Sequence, residues 1–193
     1  MSQEIADYGF LGEEFLTWLW FQMEDKGGEF TFADGRVIAV AIDDYMSFAP
    51  RDDDDTEHSL RHGLPSRSAE ASAALRNGRR LAKARLIVAE SALEWSLTLV
   101  GNSMTLGSVK LPQDSEDLEG PEERSRERAA KFLRIHEIIG RLYKLFLERR
   151  LRPEYLSEDA EQQAQWMAVR SQMAVRSQAP VRHFGGSEPG SDP

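Results

Sequence analysis

Residues 94–100 read Glu-Trp-Ser-Leu-Thr-Leu-Val, and their alternation decides the fold class. Trp95, Leu97 and Leu99 alternate with Glu94, Ser96 and Thr98, which predicts a strand with one buried and one wet face. Two neighbouring stretches share its β-prone composition: Ala84–Glu90 before it and Met104–Leu111 after it. Gly101-Asn102 supplies a turn into the latter. The three together read as an antiparallel meander.

Upstream, Phe30, Phe32, Val37, Ile38, Val40 and Ile42 flank Ala33-Asp34-Gly35-Arg36. An Asp-Gly turn between two β-prone runs is a hairpin signal. A third short run, Tyr45–Phe48, precedes Pro50. Helices surround these strands. From about Tyr8 to Glu24, Leu11, Phe15, Trp18, Leu19 and Gln22 fall at helical spacing, and Trp20 and Phe21 widen the apolar face. Such a helix must be covered on most sides. It reads first as a core helix and second as an interface helix, since Trp and Phe also anchor partners. Lys26-Gly27-Gly28 ends it. Ser66–Arg80 reads as a short basic helix capped by Ser66 or Ser68. Glu122–Arg150 is the clearest helix, with Phe132, Ile135, Ile139, Leu142, Tyr143 and Phe146 on one face. Pro121 suits its first turn, and acids at its start and arginines at its end suit its dipole.

The predicted class is therefore α+β: an antiparallel hairpin and meander with an N-terminal aromatic helix, a short basic helix and a long amphipathic C-terminal helix. Residues 1–156 form one domain in this reading. Residues 157–178 hold a short helix and a direct repeat, MAVRSQ at 167–172 and again at 173–178. The Gly/Ser/Pro-rich stretch 179–193 reads as disordered.

The 193 residues include no cysteine, which removes disulfides, thiolate metal sites and cysteine nucleophiles. The polar, acidic start predicts no secretory leader, and the densest apolar run, Phe15–Phe21, is far shorter than the roughly 18 residues a membrane helix needs. A cytoplasmic protein without membrane contact is expected. No phosphate-loop or nucleophile motif occurs, and none of His58, His62, His136 and His183 sits in a catalytic pattern. The expectation is a non-enzyme without cofactor. Asp52–Asp55, with Glu57, His58 and His62 nearby, raises a metal site. Contiguous aspartates diverge, however, and fit a solvated acidic loop better. No metal ligand is nominated.

Net charge is −9, yet between Arg61 and Arg85 it reverses: Arg61, Arg67, Arg76, Arg79, Arg80, Lys83 and Arg85 stand against Glu70 alone. If Arg76, Arg79, Arg80 and Lys83 continue one helix, they share a face that meets successive phosphates. Arg76, Arg79, Arg80, Lys83 and Arg85 are thus the candidate nucleic-acid residues. The competing reading is neutralisation by the chain's own acids or by a partner. Arg128, Lys131, Arg134, Arg141 and Lys144 add a second positive zone on the long helix. Trp18, Trp20, Phe21, Leu142 and Phe146 are the candidate interface residues, should the apolar helices meet a homodimer or protein partner.

Leu11-Gly12-Glu13-Glu14-Phe15-Leu16-Thr17-Trp18-Leu19-Trp20-Phe21 resembles a segment in the C-terminal region of the recombination-associated RdgC-like family. Gly78–Leu86 and Glu94–Leu99 resemble stretches of the same region, and the order of elements is similar over about Phe10–Arg150. The resemblance implies a nucleoid-associated, sequence-independent binder of duplex DNA. It also implies a dimer, ring-shaped in the better-known members, that restrains recombinase loading. It transfers no binding residue; the basic candidates come from the charge count. The alternative is a protein-interaction or assembly subunit that acts through its apolar helices without binding nucleic acid.

Overall fold

The computed structural model describes residues 9–50, 57–115, 120–156, 161, 164–166 and 168. The aspartate run, most of the MAVRSQ repeat and the stretch 179–193 lie outside the described residues. The chain is α+β. In order come α1 (Gly9–Lys26), β1 (Glu29–Thr31), β2 (Val37–Phe48), β3 (His58–Arg61) and a short 3-10 turn (Pro65–Arg67). Then follow α2 (Ala69–Arg76), β4 (Leu81–Glu90), β5 (Leu93–Val100), β6 (Thr105–Lys110) and α3 (Pro121–Arg150).

The six strands form one antiparallel sheet, ordered β1-β2-β4-β5-β6, with β3 also paired to β2. The expected meander is β4-β5-β6. The expected hairpin is β1-β2, turning at Gly35 with φ +80°, the conformation that Gly adopts without steric cost. Tyr45–Phe48 is not a separate strand but the far end of β2, beyond a register shift between Ile42 and Met46. That bulge turns Asp44 and Tyr45 out of the regular ladder.

Alternation sorts the sheet into two faces. Ile38, Val40, Leu86, Val88, Trp95, Leu97 and Leu99 point to the helices and are buried. Val37, Ala39, Ala41, Ile87, Thr98 and Val100 point the other way and lie outside the core cluster. Single-sided cover of this kind is common for antiparallel sheets.

On that face α1 packs against both the sheet and α3. Phe15, Leu16, Trp18, Leu19, Trp20 and Phe21 are all buried. Trp18 packs among Phe15, Phe30 and Phe146; Trp20 meets Phe48 on one side and Trp166 on another. This corrects the interface nomination: Trp18, Trp20, Phe21, Leu142 and Phe146 are core residues, covered by the chain itself. Their size is the reason, because a small domain gains most by burying its largest apolar side chains.

α1 also makes a close backbone approach. A Cβ on Gly12 would lie 1.8 Å from the Gly101 carbonyl oxygen in the β5–β6 turn. Backbone cannot yield as a side chain can, so the contact requires glycine. Gly12→Ala is expected to lose about 1–3 kcal/mol by overpacking, read as a lowered urea midpoint; an unchanged midpoint would show that α1 can slide.

Candidate nucleic-acid interface

Ser68 caps α2, its hydroxyl accepting from the Ala71 amide at 3.0 Å. The helix then stops eight residues on, at Arg76. Gly78 takes φ +72°, and the amides of Asn77, Gly78 and Arg79 close on the carbonyls of Ala73, Leu75 and Ala74. This is a glycine-terminated helix end. Beyond it Leu81, Ala84, Leu86 and Val88 enter the core from a strand.

The five nominated cations therefore do not share a helical face. Arg76 ends α2, exposed and without an acidic partner among the described residues. Arg79 and Arg80 lie in the connection, the first donating to the Ala49 carbonyl at 3.3 Å, the second 4.0 Å from Glu14. Lys83 and Arg85 stand on β4, on the sheet face away from the helices. Lys83 Nζ is 3.1 Å from Glu57, and Arg85 is 3.0 Å from Asp44 on the β2 bulge. Glu57 also accepts from the Ser47 hydroxyl, and that bond, then Lys83, holds its pKa below the ordinary value. Of the wider basic segment, Arg67 reaches Glu24 at 3.8 Å, and Arg61 lies over the Tyr45 ring.

The positive zone on α3 is matched still more completely. Arg128 pairs with Asp114 at 3.2 Å. Lys131 is buried, with its ammonium on Glu127 at 2.7 Å and the Gln113 carbonyl at 2.6 Å. Lys144 reaches Glu148 at 3.8 Å. Arg134 and Arg141 belong to a six-charge network that ties both hairpin turns to α3. Arg134 is forked on Glu90 and also pairs with Glu137 at 2.7 Å. Arg141 pairs with Asp34 at 2.7 Å and covers the Phe32 ring at 4.3 Å. Arg36 bridges Asp34, Glu90 and Glu137. Arg36 and then Arg141 hold the Asp34 carboxyl well below the carboxylate range. Arg134 lowers Glu90, which in return raises Arg134. No sequence signal pointed to this network, since its members are up to 107 residues apart.

Among the described residues no three His, Asp or Glu side chains are grouped to hold a metal ion. No helix among them is long and apolar enough to cross a membrane. A hollow of about 520 Å³ beside the network is lined by Gly35, Arg36, Val37, Ala39, Ala89, Glu90 and Ser91. Its one hydroxyl has no histidine beside it in that lining.

The outer face of α3 was not foreseen. Phe132, expected in the buried stripe, is 44% exposed, and Leu133 is 69% exposed. The buried stripe is Ile135, Ile138, Ile139, Leu142 and Phe146. Leu133 and Gly140, seven residues apart and opposite that stripe, were the readable signal.

Comparison with known proteins adds nothing to these observations: no protein family, curated protein or solved structure matches the chain.

The ion network fixes an acid response. Asp34 and Glu90 titrate lower when folded, so their pairing contributes in full above the unfolded carboxylate value, near pH 4. The contribution is lost as pH falls through the depressed folded values. Thermal stability is expected to fall from about pH 4.5 downward. Glu90→Gln should cost about 1 kcal/mol at pH 7, allowing for solvent screening, and flatten that fall. Melting curves superimposable on wild type at both pH values would refute the role.

Proposed function

We propose that the protein is a non-catalytic, cytoplasmic binding subunit that works by assembling with protein. One observation carries the reading. The chain's own acids engage Arg80, Lys83 and Arg85 of the five cations nominated for phosphate, whereas Phe132 and Leu133 on α3 stay 44% and 69% exposed. Phosphate affinity depends on cations that are free to replace counterions, and pairs such as Arg85–Asp44 and Lys83–Glu57 would have to open first. Exposed apolar side chains on a rigid helix bind without that step. Trp18 and Phe146 are core residues and do not meet the partner.

Duplex-DNA binding is the second reading, with the recombination-related role that the family resemblance implies. It is favoured by Arg61, Arg67 and Arg76, which stand exposed. Three phosphate contacts would give a log–log salt slope of only about −3.

Two measurements separate these readings. Size-resolved cell extract should contain the protein in a discrete species larger than one chain, and a Phe132→Ser/Leu133→Lys double variant should return it to single-chain size. In mobility-shift titrations the salt slope should be no steeper than about −3. A single-chain species in extract, together with a slope near −6 or beyond that Arg76→Ala makes shallower, would replace assembly with DNA binding.

A further inference from the structure

Gly140 sits within α3, and a Cβ there would meet, beyond the helix's own neighbouring backbone, no atom of the described residues within 4 Å. Its φ is not positive, so the backbone does not demand glycine. Glycine is also among the poorest helix formers. Nothing among the described residues accounts for it. A helical glycine of this kind lets a second helix or a bulky side chain come close.

Leu133 lies two turns earlier on the same side. Positions 126, 129, 133, 136 and 140 step by four and three, the spacing of a helix-pairing seam. They run opposite the buried Ile135, Ile138, Ile139 and Leu142. Arg126, Ala129, Leu133, His136 and Gly140 are all exposed. Phe132 flanks the seam, its ring 4.5 Å from that of His136.

We propose that this face pairs antiparallel with the same face of a second copy, each Leu133 seated over the other copy's Gly140. The proposal rests on the assembly reading above and names its partner. The seam is self-complementary: a two-fold axis between positions 136 and 137 matches knob to hole twice, as an isologous contact requires. The same register sets Arg126 of one copy level with position 147 of the other, beside Glu148. Both are more than half exposed, and among the described residues each is held within its own chain by a one-turn pair of 4.0 or 3.8 Å. Antiparallel packing also opposes the two helix dipoles. A parallel pair would set Leu133 on Leu133 and leave a void between the glycines.

The absence of cysteine makes the test direct, because one introduced thiol is the only one present. Light scattering across a concentration series should give wild type twice the 21.8 kDa chain mass. Leu133→Asp and Gly140→Leu should give one chain mass with unchanged circular dichroism. Leucine favours helix over glycine, so loss of pairing in the second variant is not loss of α3. A short thiol cross-linker should join His136→Cys chains, which meet near the axis. It should not join Lys144→Cys chains, whose thiols are about 22 Å apart along the axis. A dimer that survives both variants, or cross-linking at position 144, overturns the proposal. A monomeric wild type that forms a stoichiometric complex with a different protein overturns the second copy and leaves the assembly reading standing. A monomer that joins no complex overturns both.

Discussion

An aromatic helix buried on nearly every side is the constraint on which the other elements depend. With Phe15, Trp18, Trp20 and Phe21 all buried, α1 needs walls in several directions. The sheet supplies one, α3 a second through Phe146, the β1 strand a third through Phe30, and Trp166 a fourth. Each fully buried large apolar side chain contributes roughly 1.5–3 kcal/mol, whereas an exposed ion pair contributes at most about 1. The aromatic cluster therefore sets where α3 and the hairpins lie, and the charges adjust around it. Glycine at positions 12 and 101 then sets how closely the helix can approach the β5–β6 turn.

Once α1 and α3 occupy one face of the sheet, the other face stays wet. Lys83 and Arg85 emerge there, and acids meet them from two sources. Asp44 comes from the β2 bulge, and Glu57 from just before β3. The local excess of positive charge between Arg61 and Arg85 is real along the chain and partly cancelled in space, at Arg67, Arg80, Lys83 and Arg85. The same holds on α3, where Asp34 and Glu90 from the two hairpin turns reach its arginines.

Legibility followed interaction range. The β4-β5-β6 meander, the Asp-Gly hairpin and the long helix rest on alternation, turn residues and helical period, all local, and each is present. The basic helix failed at a local signal too: Asn77-Gly78 stops it, and the alanine-rich start had suggested a longer run. The charge pairings were out of reach, because Arg141 and Asp34 become neighbours only when the sheet packs on α3. The interface candidates were misjudged for a related reason: Trp and Phe serve cores and partners alike, and burial alone tells the two uses apart.

The two faces of α3 illustrate that distinction. Its inner stripe closes on the sheet and α1, as a long amphipathic helix should. An isolated exposed leucine on the other side would be ordinary. Here the leucine stands two turns from a glycine that no described residue packs against, along a continuous seam of three- and four-residue steps. Copies of a chain with net charge −9 repel one another at long range. A face whose own charges nearly balance adds least to that repulsion. The outer face of α3 meets that condition, with Arg126 and Lys144 interleaved among Glu122, Glu137 and Glu148. The local balance of charge and the unused glycine thus point to the same surface, for independent reasons.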